Sequence, residues 1–375
     1  MPPNKGNLTM AFLSVAAPKS TLNLAGHSGD TAIAYGDGDT IDSGGMQGNF
    51  GANSPGAGNT IYLVGQNQTF ISNSGYIGGG GDHVAIYGDS DIAKISDSSV
   101  TTFGQGDTVN ISGWNIADHA TAFGYSSVAA AGNSSVFVTC TSGAMSFIGG
   151  TGFSVVIAGG ALSADVNLGE GGGVAVGGEE EVDYRPHTEF YAQNTLVAGL
   201  KASTLYGSNH GANDLVASGS AGDGMVGGEN SYNRLDASNS TGNNYVEGHQ
   251  GTYTAPVGPF NNGTPSPANI MLGGGGNDVM VAGSGYNEMH AGSGTDTFLV
   301  IANALNQVGG GNQVMLDAFK QGTDHLDLVG YAGSTDTLLA SAQHFGGGTQ
   351  LQLADGTHLT VAGVNLTTAD IWRQG

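Results

Sequence analysis

The apolar and polar positions of this chain fall into one recurring unit: a glycine, then Asp or Asn, a spacer, and a large apolar residue. The sharpest copies are Gly273-Gly274-Gly275-Gly276-Asn277-Asp278-Val279-Met280-Val281, then Ala282 to His290, then Ala291 to Leu299, each displaced by nine residues. Each opens on two small residues and carries Gly at its fourth place, Asp or Asn at its sixth and an apolar residue at its eighth. Glycine permits the positive φ of a tight turn, where a Cβ would clash. The Asp or Asn brings an oxygen into the turn. The apolar eighth residue is the inward-facing member of a very short strand.

Weaker copies cover most of the chain. Gly29-Asp30-Thr31-Ala32-Ile33 and Gly38-Asp39-Thr40-Ile41 begin the series, and Gly58-Asn59-Thr60-Ile61, Gly81-Asp82-His83-Val84 and Gly106-Asp107-Thr108-Val109 extend it. Phe50, Phe70, Ile92 and Val100 supply apolar residues between them. Residues 110–178 are less regular, but Ser135–Thr139 and Phe153–Ile157 read as strands. Further on, Leu196, Leu205, Val216, Met225, Leu235 and Tyr245 recur, preceded by Asn194, Ser203, Asp214, Asp223, Asn233 and Asn243. Asparagine there suits a turn that bonds to backbone, and stacked asparagine ladders can satisfy buried polar groups along a repeat stack.

The pattern predicts an all-β fold, a parallel β-solenoid or β-roll of about 18–20 residues per turn with a C-terminal β cap. Its parts are an N-terminal arm or cap at 1–20, a degenerate solenoid at 21–250 with an acidic loop at 179–190, a Pro-rich loop at 251–268, the strong repeats at 269–300, and a C-terminal region at 301–375. In that last region 349–353 and 359–361 read as a hairpin around Asp355-Gly356.

The strong repeats resemble the RTX (repeats-in-toxin) nonapeptide, which forms a calcium-binding parallel β-roll. The resemblance is specific over 269–300, moderate over 301–375 and architectural only over 21–250. It implies two nonapeptides per turn, so Asp278 stacks above Asp296, eighteen residues on. It also implies Ca2+ between these turns, held by Asp278 and Asp296 and by the carbonyls of Gly274, Gly276, Ala291 and Ser293. Carboxylate and carbonyl oxygens are the hard ligands calcium selects. Asn287, on the opposite edge, is a neutral and weaker ligand. The segment Val314 to Leu328 resembles the flank that follows RTX repeats in serralysin-type proteins, which adds Asp324 as a candidate ligand. In the family an acid precedes the Phe; here Ala318 does, with Asp317 shifted by one. The family leaves the cell through a one-step channel with an uncleaved C-terminal signal, which implies a secreted or cell-surface bacterial protein.

Composition narrows the partners. The formal net charge is −23, with only eight Lys and Arg among 375 residues. Such a surface repels nucleic acid and anionic membranes and favours cations. With 68 glycines and no triplet period, the chain is neither collagen nor a typical compact globule. The single Cys140 excludes an intrachain disulfide and reads as a small buried hydrophobe. No apolar run is long enough for a transmembrane helix, and residues 10–17 make too weak a signal for a cleaved leader peptide.

Catalytic motifs are missing. There is no His-Glu-x-x-His, and Gly26-His27-Ser28-Gly29-Asp30 lacks the final glycine of a nucleophile elbow. Arg185 and His187 lie close in sequence without a supporting basic cluster. The leading expectation is a non-enzymatic calcium-binding solenoid that self-associates into a homo-oligomer, filament or lattice, such as an S-layer or matrix subunit, with cell-surface polysaccharide as a further partner. Three other readings stay open: a polysaccharide lyase or epimerase, an intracellular scaffold, and an ice- or surface-binding protein in which Thr31, Thr40, Thr60 and Thr108 share a repeat position.

Overall fold

The computed structural model describes strands and a few turn residues between 12 and 142, and then 144–374 apart from 160, 162, 179–181, 185–187, 191, 210, 229–230, 249–267 and 303–311. The fold is all-β, built from long stacks of parallel strands, as the repeat predicts. It divides into two compact units, Met1–Ser154 and Val155–Gly375.

In the first unit the chain alternates between two parallel sheets. One stacks Phe12–Val15, Thr31–Tyr35, Thr60–Val64, His83–Tyr87, Ser99–Phe103, Ala117–Phe123 and Ser135–Ser142 in that order. The other stacks Thr21–Asn23, Thr40–Asp42, Thr69–Ile71, Ile92–Ile95, Asp107–Gly113, Ser126–Gly132 and Ala144–Ile148. Many of the strands are short and bury one or two side chains before the next turn, whereas Ser135–Ser142 buries Val136, Val138 and Cys140. Thr60–Val64 alternates accordingly, with Ile61 and Leu63 buried and Tyr62 and Val64 exposed. A strand already occupies Phe12–Val15, so the first rung begins inside the segment read from sequence as a lead-in.

The second unit repeats this plan. In one sheet a single register column runs Ala175, Leu205, Met225, Val246, Met280, Phe298, Leu326 and Ile371, every member buried. In the other it runs Val166, Leu196, Leu215, Leu235, Met271, Met289, Leu316 and Val361, again all buried. Full burial of such a side chain contributes roughly 1.5–3 kcal/mol.

These columns correct the sequence reading at several rungs. Leu215, not Val216, and Val246, not Tyr245, face the core; Tyr245 is 43% exposed. Ala93 is buried while its neighbour Ile92 is exposed, and Ala32 and Ala34 flank a half-buried Ile33. In each case two apolar residues stand side by side, and the pleat admits only one of them. The four threonines divide between faces: Thr31 pairs with Thr60 in one sheet, while Thr40 and Thr108 lie in the other, separated by Thr69 and Ile92.

Insertions lengthen turns without disturbing register. Strands Val182–Tyr184 and Thr188–Phe190 pair antiparallel within the acidic excursion, whereas Arg185 and His187 lie outside the described residues. Most of the Pro-rich loop also lies outside them, yet Tyr232–Asp236 and Ala268–Leu272 on either side pair in register. The stack continues past 300: Gln313–Asp317 and His325–Val329 add rungs, then His358–Val361 and Ile371–Gln374. Antiparallel pairing of Gly348–Gln352 with His358–Val361, with Gly356 at φ +88°, forms the expected hairpin. One helix, Thr335–Ala340, lies among the described residues.

Candidate functional site

Every turn of the second unit must satisfy backbone N–H groups that no strand neighbour reaches. Two columns of side chains do this, and they differ in charge.

On one edge stand Asn194, Asn213, Asn233, Asn269 and Asn287, all buried and in direct register. Each of the first four donates from Nδ2 to the Oδ1 of the next, at 3.0, 2.9, 2.9 and 3.0 Å. The same amides also pair with the turn backbone. Asn213 accepts from Ser208 N–H at 3.0 Å and donates to Ser208 C=O at 2.9 Å, and Asn233 does likewise with Gly228. Asn194 makes the same pair with Gly178 across the whole acidic excursion. An amide suits this role because it is donor and acceptor at once.

On the other edge stand Ser203, Asp223, Asn244, Asp278, Asp296 and Asp324. Here the N–H of each residue donates to the side-chain oxygen of the next rung: Ser203 to Asp223 at 2.8 Å, Asp223 to Asn244 at 3.1 Å, Asn244 to Asp278 at 2.8 Å, Asp278 to Asp296 at 2.9 Å, and Asp296 to Asp324 at 3.0 Å. The second oxygen of each acid takes an N–H from its own turn. Gly274 donates to Asp278 at 2.7 Å, Gly292 to Asp296 at 3.2 Å and Lys320 to Asp324 at 2.7 Å. The sequence pattern found Asp223 but pointed to Asn243 rather than Asn244, and to Asp214 rather than Asn213. Asp214 instead points outward and pairs with Arg234 at 2.8 Å.

Three consecutive carboxylates therefore sit buried in one column, at Asp278, Asp296 and Asp324. Burial, then the charges of Asp324 and Asp278, pushes the middle carboxyl, Asp296, up to about 6 against the pull of its backbone bond and of Lys320. Burial raises Asp223 as well, despite bonds from Ser203 and Ser218.

The turns themselves are in close contact. A Cβ on Gly292 would lie 1.9 Å from the Gly274 carbonyl oxygen, and one on Gly294, at φ +120°, would lie 2.2 Å from that of Gly276. Glycine at these two places lets the carbonyls of one turn approach the next. Gly274 O accepts Ser293 N–H at 2.7 Å. Ala291 is half-buried and Ser293 exposed at the rim of the same turn. The structure thus gathers Asp278, Asp296, Gly274, Gly276, Ala291 and Ser293 on two stacked turns.

These residues fit a hard divalent cation in donor chemistry. Asp278 Oδ1 already accepts both the N–H and the Nδ2 of Asn244, but Asp278 Oδ2 and both oxygens of Asp296 each keep a lone pair beside one N–H bond, and the column carries surplus negative charge. Among the described residues, no three His, Cys, Asp or Glu side chains form a cluster able to hold a metal. A cation here would draw on two carboxylates and complete its shell with backbone carbonyls, as calcium commonly does. At the third acid the surroundings change. Lys320 donates from Nζ to Gly292 O at 2.5 Å, so the turn of Asp324 brings its own cation. Asp317 lies elsewhere, 3.3 Å from His290 Nδ1 on the outer face of the opposite sheet. Ala318 takes a positive φ of 58°, the place where a glycine would carry no strain.

No protein-family model matches the chain, and no curated protein matches it. The fold and its two turn columns define an all-β parallel solenoid. Among the described residues, no helix is long and apolar enough to cross a membrane.

Proposed function

We propose that the protein is a non-enzymatic structural β-solenoid that acts outside the cell, binds Ca2+ at the turns of Asp278 and Asp296, and associates with copies of itself. The observation that carries this reading is the run of three buried carboxylates whose middle member, Asp296, is pushed up to about 6 by burial and by its neighbours. A bound divalent cation removes that repulsion at neutral pH. Asp278 and Asp296 would supply charge, and Gly274, Gly276, Ala291 and Ser293 would supply carbonyls. The resemblance of 273–299 to the RTX nonapeptide supports the same ion and a secreted location. The buried polar side chains of both columns are committed to turn backbone, which suits a scaffold better than a catalyst.

Because the turn N–H groups are already satisfied by side chains, calcium acts here as a stabiliser and assembly trigger rather than as a folding nucleus. The test is a calcium titration of metal-stripped protein, followed by far-UV circular dichroism and electron microscopy. β signal is expected before calcium is added, with saturable binding and ordered assemblies appearing on addition. Protein that binds no calcium up to about 10 mM, above the range of weak extracellular sites, and whose assembly state never changes would overturn the reading.

A further inference from the structure

The first unit carries a face that its charge does not explain. Strands Thr31–Tyr35, Thr60–Val64, His83–Tyr87 and Ser99–Phe103 contain no Asp, Glu, Lys or Arg, in a chain of net charge −23. One register column on this sheet reads Tyr35, Val64, Tyr87, Phe103 and Phe123, so a large apolar residue recurs on five successive rungs. Its neighbouring column reads Ile33, Tyr62, Ala85, Thr101 and Thr121. Tyr62 is 37% exposed, Val64 38% and Tyr87 42%, which sets them on the outward side of the pleat. Acidic solenoid proteins stay soluble by repulsion, and contiguous apolar patches of this kind mark interaction sites.

We infer that this sheet face of the first unit, centred on Tyr62, Val64 and Tyr87, is the interface through which a second copy of the chain docks, sheet against sheet. The inference rests on the self-association proposed above and assigns it a place. Charge selects the occupant. Two copies of a strongly acidic chain can approach closely only where neither brings charge. A basic partner would find no carboxylates here to pair with. The four charge-free strands, at about 4.8 Å spacing and about five residues each, give a face of roughly 20 by 15 Å. Two copies would then bury about 600 Å² in total, the size of a weak, reversible contact. An uncharged patch can also meet its own copy about a two-fold axis, the commonest symmetry of homo-oligomers.

The test is sedimentation velocity of the full chain over a range of concentrations, with and without calcium. Wild-type protein is expected to sediment as a reversible dimer or higher oligomer. The Tyr62→Lys/Tyr87→Lys double variant is expected to weaken that association at least about 100-fold, as loss of buried aromatic anchors does. Tyr232→Lys, at an exposed aromatic on the other sheet of the second unit, is expected to associate as wild type does. Circular dichroism checks that each variant is folded; if the double variant unfolds, Val64→Lys alone is used in its place. A wild-type chain that binds calcium yet stays monomeric overturns both this interface and the self-association above. A chain that associates equally well with the lysines in place overturns the interface alone. Retention of monomeric wild type on an insoluble uncharged glucan, lost in the double variant, would give the face to a polysaccharide and overturn the second copy.

Discussion

The two turn columns of the second unit solve one problem in different ways. Both terminate buried N–H groups, one from Asn194 to Asn287 and the other from Ser203 to Asp324. The asparagine column does so with neutral amides that also bond to one another from Asn194 to Asn287. The acid column uses carboxylates, which accept two N–H bonds, or three at Asp278, but cannot donate to the next rung. The first column is self-sufficient and closes on itself. The second leaves buried carboxylates stacked rung upon rung at Asp278, Asp296 and Asp324, and that charge is what the proposed calcium would offset. An amide ladder supplies stability without dependence on solution conditions, whereas a carboxylate ladder makes stability answer to pH and cations.

The sharpest way to break this contrast is to remove one rung of the amide column. Asn233 makes four bonds, to Gly228 N–H and C=O and to Asn213 and Asn269. Asn233→Ala is expected to cost about 3 kcal/mol or more, since several buried groups lose their partners at once. Urea unfolding should show that loss equally with and without calcium. A cost that calcium repairs would mean the two columns are not independent.

A smaller effect concerns pH. Asp296 binds its proton more tightly in the folded chain, with a carboxyl at about 6 against an ordinary 3.8. Between those values the native state holds more protons than the unfolded state, so stability falls as pH rises from about 4 to about 6 and levels off above. The expected loss for this group is about 2 kcal/mol after allowance for screening. It is expected in metal-free protein and should shrink with calcium present. Thermal unfolding across pH 4–7.5, with Asp296→Asn as control, measures it; the same slope in that variant would assign the effect to another group.

The least effect lies on the outer face. Arg234 bridges Asp214 and Asp236 there, and its side chain is 39% exposed. Solvent screens its pair with Asp214, itself 42% exposed, so Asp214→Ala, which leaves Arg234 on the buried Asp236, is expected to change stability by less than about 1 kcal/mol. A larger loss would show that outward charges, not the turn columns, hold the rungs in register.

Much of this arrangement was legible in the sequence, and the reason is spacing. Eighteen residues separate Asp278 from Asp296, and the structure pairs Val279 with Thr297 at that same interval. The asparagines at 194 and 233 were likewise visible two residues ahead of Leu196 and Leu235. Legibility failed where two similar residues stood together. Asn213-Asp214 and Asn243-Asn244 each offered two polar candidates ahead of two apolar ones, and only the pleat chooses between them. It also failed across insertions: Asp324 lies 28 residues after Asp296, yet His325 still pairs with Thr297. Register is held there by the sheet and not by chain length. Lys320 could not be placed at all, because its contact with Gly292 depends on the stacking of the turns. The run Tyr35, Val64, Tyr87, Phe103 and Phe123 was hidden for a related reason, since the rungs of the first unit differ in length.

The most direct test of the acid column is thermal unfolding of metal-stripped full-length chain with and without 10 mM calcium, for wild type and for Asp278→Asn/Asp296→Asn. A site with the affinity usual for extracellular modules would stabilise the wild type by about 1.5–3 kcal/mol at that concentration. The midpoint of the second unit is then expected to rise by about 5 °C or more in the wild type and to stay fixed in the double variant, which starts from a lower midpoint because each new amide has one acceptor oxygen where the carboxylate offered two. Equal shifts in both proteins, or none in either, would contradict a calcium site at these turns.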